Sequence, residues 1–216
     1  MRESMGRPTG TRAERTRRTI TTAAEDLFLG RGFLGTSMDD VAATAAVSKQ
    51  TVYAHFQSKE ALFLEVVRGM TGAAGDEFEE KVADPGEEPP PLDQFLRDFA
   101  FRQLTIVMTP RLMQIRRLVI AETERFPELG KALDEKGPGR SIRRLAGAFA
   151  RYPERIRASD LRKAAAFFNW LVMGEPTNDA MMLGDGAIPK PKALRAHADE
   201  AVRIFLAAYC PGDSAS

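Results

Sequence analysis

The order of apolar and polar residues along the chain predicts a protein built from helices. Apolar residues recur at intervals of three and four, which is the spacing of one face of an α-helix. No stretch shows the apolar and polar alternation of a strand, and there is no internal repeat or low-complexity block. We therefore predict an all-α fold.

A first helix is predicted to follow a tail, residues 1–10, that has no apolar periodicity. Thr11 and Glu14 have the spacing of a capping box, in which two side chains satisfy backbone amides of the first turn. Gly30 and Gly32 are expected to end the helix, because glycine tolerates the left-handed conformation of a helix end. The residues expected to form a small core here are Leu27, Phe28, Phe33, Val41, Val52 and Phe56.

The next stretch predicts two short helices joined by a tight turn. Thr36 or Ser37 can cap the first of them, and Ser48 caps the second. Val52 and Phe56 stand four apart and point inward together, which leaves a polar set on the other sides of the second short helix. An ordinary hairpin inside a core is the alternative, but a capped helix with a polar face favours a helix-turn-helix that enters a DNA major groove. The polar set is Lys49, Gln50, Tyr53 and His55.

These residues resemble the signature of the TetR/AcrR family of bacterial transcriptional regulators. Residues 47–56 read VSKQTVYAHF, residues 58–63 read SKEALF, and a helix ending in GRGF precedes them. The sequence departs from the family pattern at Ala46, where the family usually has a glycine in the turn. If Ala46 adopts a positive φ, we expect a strain of about 1 kcal/mol.

The first turn of the second short helix comes nearest to the base edges of a major groove, so Lys49 and Gln50 are predicted to read sequence. Side chains farther along are better placed for phosphate oxygens, and Thr51 suits either role. The residues predicted to contact phosphates are Tyr53, His55 and Lys59. The predicted DNA-binding set is completed by Thr36, Ser37 and Ser48.

A proline-rich segment divides the rest of the chain. Residues 82–92 contain four prolines and three acidic residues, which predicts a linker. The predicted order is an arm and helix-turn-helix domain over 1–58, a connecting helix over 59–81, the linker, and an effector-binding and dimerisation domain over 93–216.

Within the last of these domains, prolines and caps predict where helices begin. Pro110 is expected to open a helix, whereas Pro127 is expected to begin a less regular stretch. The next helix is predicted from Ser141. A long helix follows the cap at Ser159 or Asp160, with a break expected around Gly174 and Pro176, and an amphipathic helix ends the chain.

Composition narrows the class of protein. The chain has 216 residues, 44% of them apolar, and a net charge of +1, but its first 18 residues hold six arginines against two glutamates. The tail is therefore either a solvated terminus or a basic arm that touches DNA. Two histidines, one cysteine and no glycine loop for phosphate leave no metal site, cofactor or catalytic constellation to propose. We expect a cytoplasmic protein without a membrane span.

The C-terminal half is rich in aromatic residues and methionines, which either fill a core or line a cavity for a small molecule. Arg102, Gln103, Arg116, Glu122 and Asn169 are candidates for polar groups in such a cavity. The segment RRLVIAETERFPELGKALDEKGP resembles an AefR-like C-terminal domain of the same family. The predicted ligand-binding residues are Phe95, Phe99, Arg102, Met113, Phe149, Asn169, Trp170 and Met173.

The resemblance implies a repressor that an apolar or amphipathic effector releases from a double-stranded, palindromic operator. Apolar surface on Trp170, Leu171, Phe205 and Tyr209 predicts a homodimer held by the helices around 160–183 and 191–209. The alternative is a helical module that binds a protein or a lipid-like molecule and whose head has lost its affinity for DNA.

Overall fold

Helices account for the regular structure of the chain, and the prediction of an all-α fold is confirmed. The structure, a computed structural model, describes residues 11–79 and 89–210; within these ranges there is no strand. The helices are α1 (Arg12–Arg31), α2 (Met38–Thr44), α3 (Lys49–His55), α4 (Lys59–Glu79), α5 (Leu92–Val107), α6 (Pro110–Glu122), α7 (Pro127–Lys136), α8 (Pro138–Phe149), α9 (Leu161–Leu183) and α10 (Pro191–Tyr209).

The chain divides into two compact units, Met1–Val66 and Val67–Ser216. The first unit is organised around Phe28, which is fully buried and whose ring centroid lies 4.8 Å from that of Phe63 and 5.9 Å from that of Phe33. Burial of these rings and of the aliphatic side chains around them holds the short helices together. All six residues of the predicted small core are buried.

Local signals set the helix ends of the first unit as the sequence predicts. Thr11 and Glu14 form the expected capping box. Ser37, rather than Thr36, caps α2, and it forms a second capping box with Asp40. The prediction for Gly30 was wrong: Gly30 lies inside α1, and only Gly32, at the C-cap, has a positive φ, 74°, which glycine adopts without strain.

The second unit packs its helices around a cluster of aromatic rings. Phe149, Phe168 and Phe205 are fully buried, with centroids 5.0 Å apart for Phe168 and Phe205 and 5.5 Å apart for Phe149 and Phe205. Tyr209 stacks on Phe205 at 4.7 Å, and the hydroxyl of Tyr152 donates to the carbonyl oxygen of Pro90. These rings belong to the main apolar core of the unit.

Three helix predictions in the second unit were wrong, and prolines explain two of them. Pro127 and Pro138 stand at the first positions of α7 and α8, where a missing N–H costs nothing, so each begins a helix instead of an irregular stretch. The third concerns Pro176, around which a break was expected. It lies inside an unbroken α9, where burial of its face supports the helix despite one lost hydrogen bond.

Three segments of the prediction lie wholly or largely outside the described residues. These are the tail before Thr11, most of the predicted linker, and the last residues of the chain. Leu92, which the prediction assigned to the linker, is the first residue of α5 and is buried. Within the described ranges, no helix combines the length and the apolar character that crossing a bilayer requires.

Candidate DNA-binding helix and effector cavity

The turn between α2 and α3 sets the position of the candidate recognition helix. Ala46 in this turn has φ 52°, the left-handed conformation in which an L residue is strained. Ser48 then caps α3 by accepting a hydrogen bond from the backbone amide of Thr51 at 3.1 Å. Val52 is fully buried and anchors α3 to the core, which directs the opposite face outward.

The first turn of α3 carries the two side chains predicted to read bases, and both are exposed. The ammonium of Lys49 lies 2.8 Å from a carboxylate oxygen of Asp39 on α2. This hydrogen bond and charge raise the pKa of Lys49 above its ordinary value, so Lys49 is held as a cation. Gln50 beside it offers both a donor and an acceptor to the solvent.

Tyr53 is exposed, whereas Thr51 and His55 are partly buried. The backbone carbonyl of His55 accepts a hydrogen bond from the guanidinium of Arg17 at 3.2 Å. Arg17 also lies 3.1 Å from Glu65 and 4.3 Å from the ring centroid of Phe56. Arg17 therefore ties α1 to the end of α3 and to α4. Sequence reasoning missed this role, because nothing distinguishes Arg17 from the other arginines of α1.

Two residues of the predicted DNA-binding set, Thr36 and Lys59, make hydrogen bonds inside the first unit. Thr36 is only 2% exposed, and its hydroxyl donates to the carbonyl oxygen of Gly32 at 2.9 Å. Lys59 donates to the carbonyl oxygens of Phe33 and Thr36 at 2.8 and 2.9 Å, and lies 4.3 Å from the Phe33 ring centroid. Because its ammonium bonds the loop between α1 and α2, we expect Lys59 to stabilise this loop, and the phosphate contact predicted for it stays a prediction to be tested.

Ser37 is exposed at the start of α2, and its hydroxyl is engaged by Asp40. The Ser37 hydroxyl and amide together hold the pKa of Asp40 below its ordinary value. The carboxylate of Asp40 thus stays ionised where the positive end of the α2 dipole favours it.

The second unit contains a cavity of about 90 Å³ that is partly open to the solvent. Side chains of α4 to α9 line it, and most of the surrounding surface is apolar. Pockets for small organic molecules have this character: an apolar wall with a few polar groups. The apolar wall includes Ile106, Val107, Leu112, Met113, Ile115, Leu133, Trp170 and Met173.

The structure brings together half of the predicted ligand-binding residues. Met113, Asn169, Trp170 and Met173 line the cavity. The other four predicted residues do not line it. Phe99 and Phe149 are buried among the aromatic rings, because their helix positions face the packed side of the unit. The remaining two are Phe95, which packs against Tyr152, and Arg102.

Two buried amides meet at the cavity wall. The side-chain amide of Gln103 on α5 donates to Oδ1 of Asn169 on α9 at 2.8 Å and to Oγ of Ser141 on α8 at 3.0 Å. This leaves Oε1 of Gln103 and Nδ2 of Asn169 buried without a hydrogen-bond partner. Sequence reasoning named both amides but missed Ser141, because it expected α8 to begin there rather than a turn earlier.

Four cationic residues also line the cavity: Arg116, Lys136, Arg140 and Arg144. Burial lowers the pKa of Arg116 below its ordinary value, because desolvation disfavours the charged guanidinium. Arg140 is paired with Asp76, at 3.0 Å. Among the described residues no cluster of histidine, cysteine or carboxylate side chains has the arrangement of a metal site.

Comparison with known proteins identifies the family. Residues 94–211, more than half of the chain, match the family model described as the AefR-like transcriptional repressor C-terminal domain. Residues 20–66 match the model described as bacterial regulatory proteins, tetR family. The chain belongs to the TetR family of transcriptional regulators. TetR-family proteins of this kind are regulators, and the chain is not an enzyme.

Two solved structures are similar to this chain over nearly its full length. A protein described as a TetR-family transcriptional regulator from Mesorhizobium loti is 34% identical, with 93% of this chain and 100% of that chain covered and a TM-score of 0.82. The flavonoid-responsive regulator FrrA is 32% identical, with 92% of this chain and 99% of that chain covered and a TM-score of 0.72.

A curated relative matches over a shorter length. The transcriptional repressor NicS of Pseudomonas putida is 33% identical over 118 residues, which cover 50% of this chain and 55% of NicS. The matched region thus spans about half the length of that relative.

Regulators of the TetR family bind DNA operators, act as dimers and respond to small-molecule effectors.

Proposed function

We propose that this TetR-family protein is a repressor that a small amphipathic effector releases from its operator. The proposal is carried by the presence of two features in one chain. One is an exposed polar recognition helix, and the other is a separate apolar cavity with unsatisfied polar groups. The match of the C-terminal region to a model described as a repressor domain supports repression over activation. Binding to chromosomal DNA would place the protein in the cytoplasm.

For DNA reading, we assign sequence preference to the first turn of α3. Gln50 is exposed and can pair with the N6 and N7 atoms of adenine, and Lys49 can contact the O6 and N7 atoms of guanine after leaving Asp39. Tyr53 is exposed farther along α3, where we assign a phosphate contact. Thr51, His55, Ser37 and Ser48 remain candidates for contacts with the DNA backbone.

We further propose that the protein acts as a homodimer on a palindromic operator. Phe167 and Trp170 on α9 are 50% and 52% exposed, and Ile204 on α10 is 41% exposed. Phe205 is fully buried in its own unit, so it supplies no surface for pairing. A dimer would place two recognition helices about 34 Å apart on successive major-groove faces. Light scattering tests this: a monomeric mass together with intact operator binding would contradict it.

The effector can lower DNA affinity only if it binds one conformation of the protein better than another. Helix α4 is the candidate route, because it begins at Lys59 beside the loop of the first unit and supplies Thr71, Ala74 and Gly75 to the cavity wall of the second. A shift of α4 on effector binding would alter the geometry that Lys59 maintains.

The test is a binding titration of the full chain on the DNA upstream of its own gene, at several salt concentrations and with scrambled competitor. We expect binding that survives the competitor and an affinity that falls linearly with the logarithm of salt concentration, because phosphate contacts release counterions. Equal binding to both duplexes would contradict sequence-specific recognition, and no binding to either would favour a helical module that has lost its affinity for DNA.

A further inference from the structure

We propose that the effector is an organic anion, a carboxylate on an apolar body, whose charged group is held by Arg116 and by the buried amides of Gln103 and Asn169. This inference rests on the proposed role of the cavity as the effector site. It names the class of ligand that this wall selects.

The first argument is the charge of the wall. Of the described residues that line the cavity, four are cationic and none is acidic. Asp76, the partner of Arg140, does not itself line the cavity and is 71% exposed. A cleft that carries one sign of charge between apolar walls concentrates ligands of the opposite sign.

The second argument is Arg116, a partly buried cation on α6. It makes no ion pair or hydrogen bond with any residue in the part of the chain that the structure describes, whereas its neighbour Arg117 bonds to Asp185 at 2.6 Å. Burying an unpaired charge is costly, and a bound carboxylate would remove this cost with two charge-assisted hydrogen bonds. The lowered pKa of Arg116 reflects the same desolvation.

The third argument is the amide pair. Exchanging the oxygen and nitrogen of both amides would keep their mutual hydrogen bond and would still leave one buried amide nitrogen and one buried oxygen unsatisfied. The free N–H group suits a carboxylate oxygen. The free oxygen suits a hydroxyl elsewhere on the ligand, so we expect hydroxylated acids to bind more tightly than unsubstituted ones.

The first turn of α8 also favours an anionic ligand. Gly137, Pro138 and Ser141 line the cavity, and α8 has no side-chain cap at its N-terminus. The positive end of a helix dipole beside the cavity favours a negative group there. The unpaired arginine, the orphan amide groups and this helix end thus select the same chemistry.

The experiment compares probes that share one body and differ in their head group: phenylpropionate, phenylpropanol and phenylpropylamine, with para-hydroxyphenylpropionate as a fourth. Binding to the full chain is measured by calorimetry and by the fluorescence of Trp170, the only tryptophan, which lines the cavity. We expect the carboxylate to bind at least about tenfold more tightly than the alcohol, and the amine to bind most weakly.

Two variants test whether Arg116 is responsible for the preference for the carboxylate. Arg116→Met should weaken carboxylate binding about tenfold while changing alcohol binding by less than about twofold. Arg162→Met, at an exposed site on α9 outside the cavity, removes the same charge and should change neither. The comparison of head groups on the unaltered protein stands even if Arg116→Met does not fold.

Equal affinity for the carboxylate and the alcohol, preference for the amine, or no binding of any probe would overturn the inference. A parallel operator titration separates it from the proposed function. If the carboxylate binds through Arg116 but leaves the operator complex intact, the effector role fails and the ligand class stands. If the alcohol releases the operator as well as the carboxylate does, the ligand class fails and the effector role stands.

Discussion

The two units of the molecule differ in whether the polar side chains near their cores all have hydrogen-bond partners. In the first unit the polar side chains around the core are paired, as Lys59 is with two carbonyl oxygens and Ser37 is with Asp40. In the second unit Gln103 and Asn169 are buried, yet each keeps one polar atom without a partner. Arg116 adds a desolvated charge to the same wall.

This difference reflects two kinds of recognition. A helix that enters a DNA groove must be rigid before it binds, and pairing the groups behind it provides that rigidity. A cavity that must respond to a ligand gains from groups that are satisfied only in the complex, because their pairing then contributes to affinity. Unpaired polar atoms in a core therefore point to a binding site, whereas paired ones point to a scaffold.

The largest expected effect comes from removing the centre of the first core. Phe28→Ala should lower the free energy of unfolding by about 3–5 kcal/mol, because Phe28 is fully buried between two other rings. Urea unfolding followed by circular dichroism measures this. Leu34→Ala, at a site 74% exposed, is the control and should change stability by less than about 0.5 kcal/mol. Similar losses in both variants would refute the core described here.

Replacing the two buried amides, Gln103 and Asn169, should raise stability and not lower it. The double variant Gln103→Met, Asn169→Leu should raise the free energy of unfolding of the unliganded protein by about 1–2 kcal/mol, because removing two unsatisfied buried groups should outweigh the loss of the hydrogen bonds from Gln103 to Asn169 and Ser141. The same variant should lose the response of Trp170 fluorescence to phenylpropionate. A destabilised variant would indicate that these amides serve the fold and not a ligand.

Lys59→Met separates the internal role of Lys59 from the phosphate role predicted for it. Loss of two hydrogen bonds to carbonyl oxygens should lower the free energy of unfolding by about 1–2 kcal/mol. The slope of operator affinity against salt concentration should stay unchanged, since no phosphate contact is removed. A slope reduced by roughly one per protomer at unchanged stability would restore the phosphate role.

Ala46→Gly should have the smallest effect on stability. Glycine adopts φ 52° without the strain of about 1 kcal/mol, but its greater entropy in the unfolded chain costs about 0.5–1 kcal/mol, so the free energy of unfolding should rise by no more than about 0.5 kcal/mol. Ala43→Gly, at an exposed position inside α2, is the matched control and should be destabilising by about 1 kcal/mol. If both variants lose stability, the turn does not carry the strain assigned to it.

The first unit was largely predictable because its signals are local. The cap at Thr11, the cap at Ser48 and the inward pair of Val52 and Phe56 lie within a few residues of the elements they define. The internal roles of Arg17 and Lys59 were not predictable. Each depends on which carbonyl oxygens the folded chain brings near, and neither partner is close in sequence.

The cavity was less predictable for the same reason. Gln103 and Asn169 are 66 residues apart, and periodicity places each on an inward face without showing that they meet. Phe99 and Phe149 were assigned to the ligand because aromatic residues fill cores and line cavities alike. Only the packing of α5, α8 and α9 shows that these two rings pack against Phe168 in the core.

The central claim is that the exposed first turn of α3 reads the operator, and Gln50→Ala tests it most directly. Its affinity should be measured beside the unaltered protein, on the operator and on a scrambled duplex. Gln94→Ala, at an exposed site on α5, is the chemically matched control. We predict that Gln50→Ala loses about 1–3 kcal/mol on the operator and almost nothing on the scrambled duplex. Equal losses on both duplexes, or none on the operator, would contradict the account.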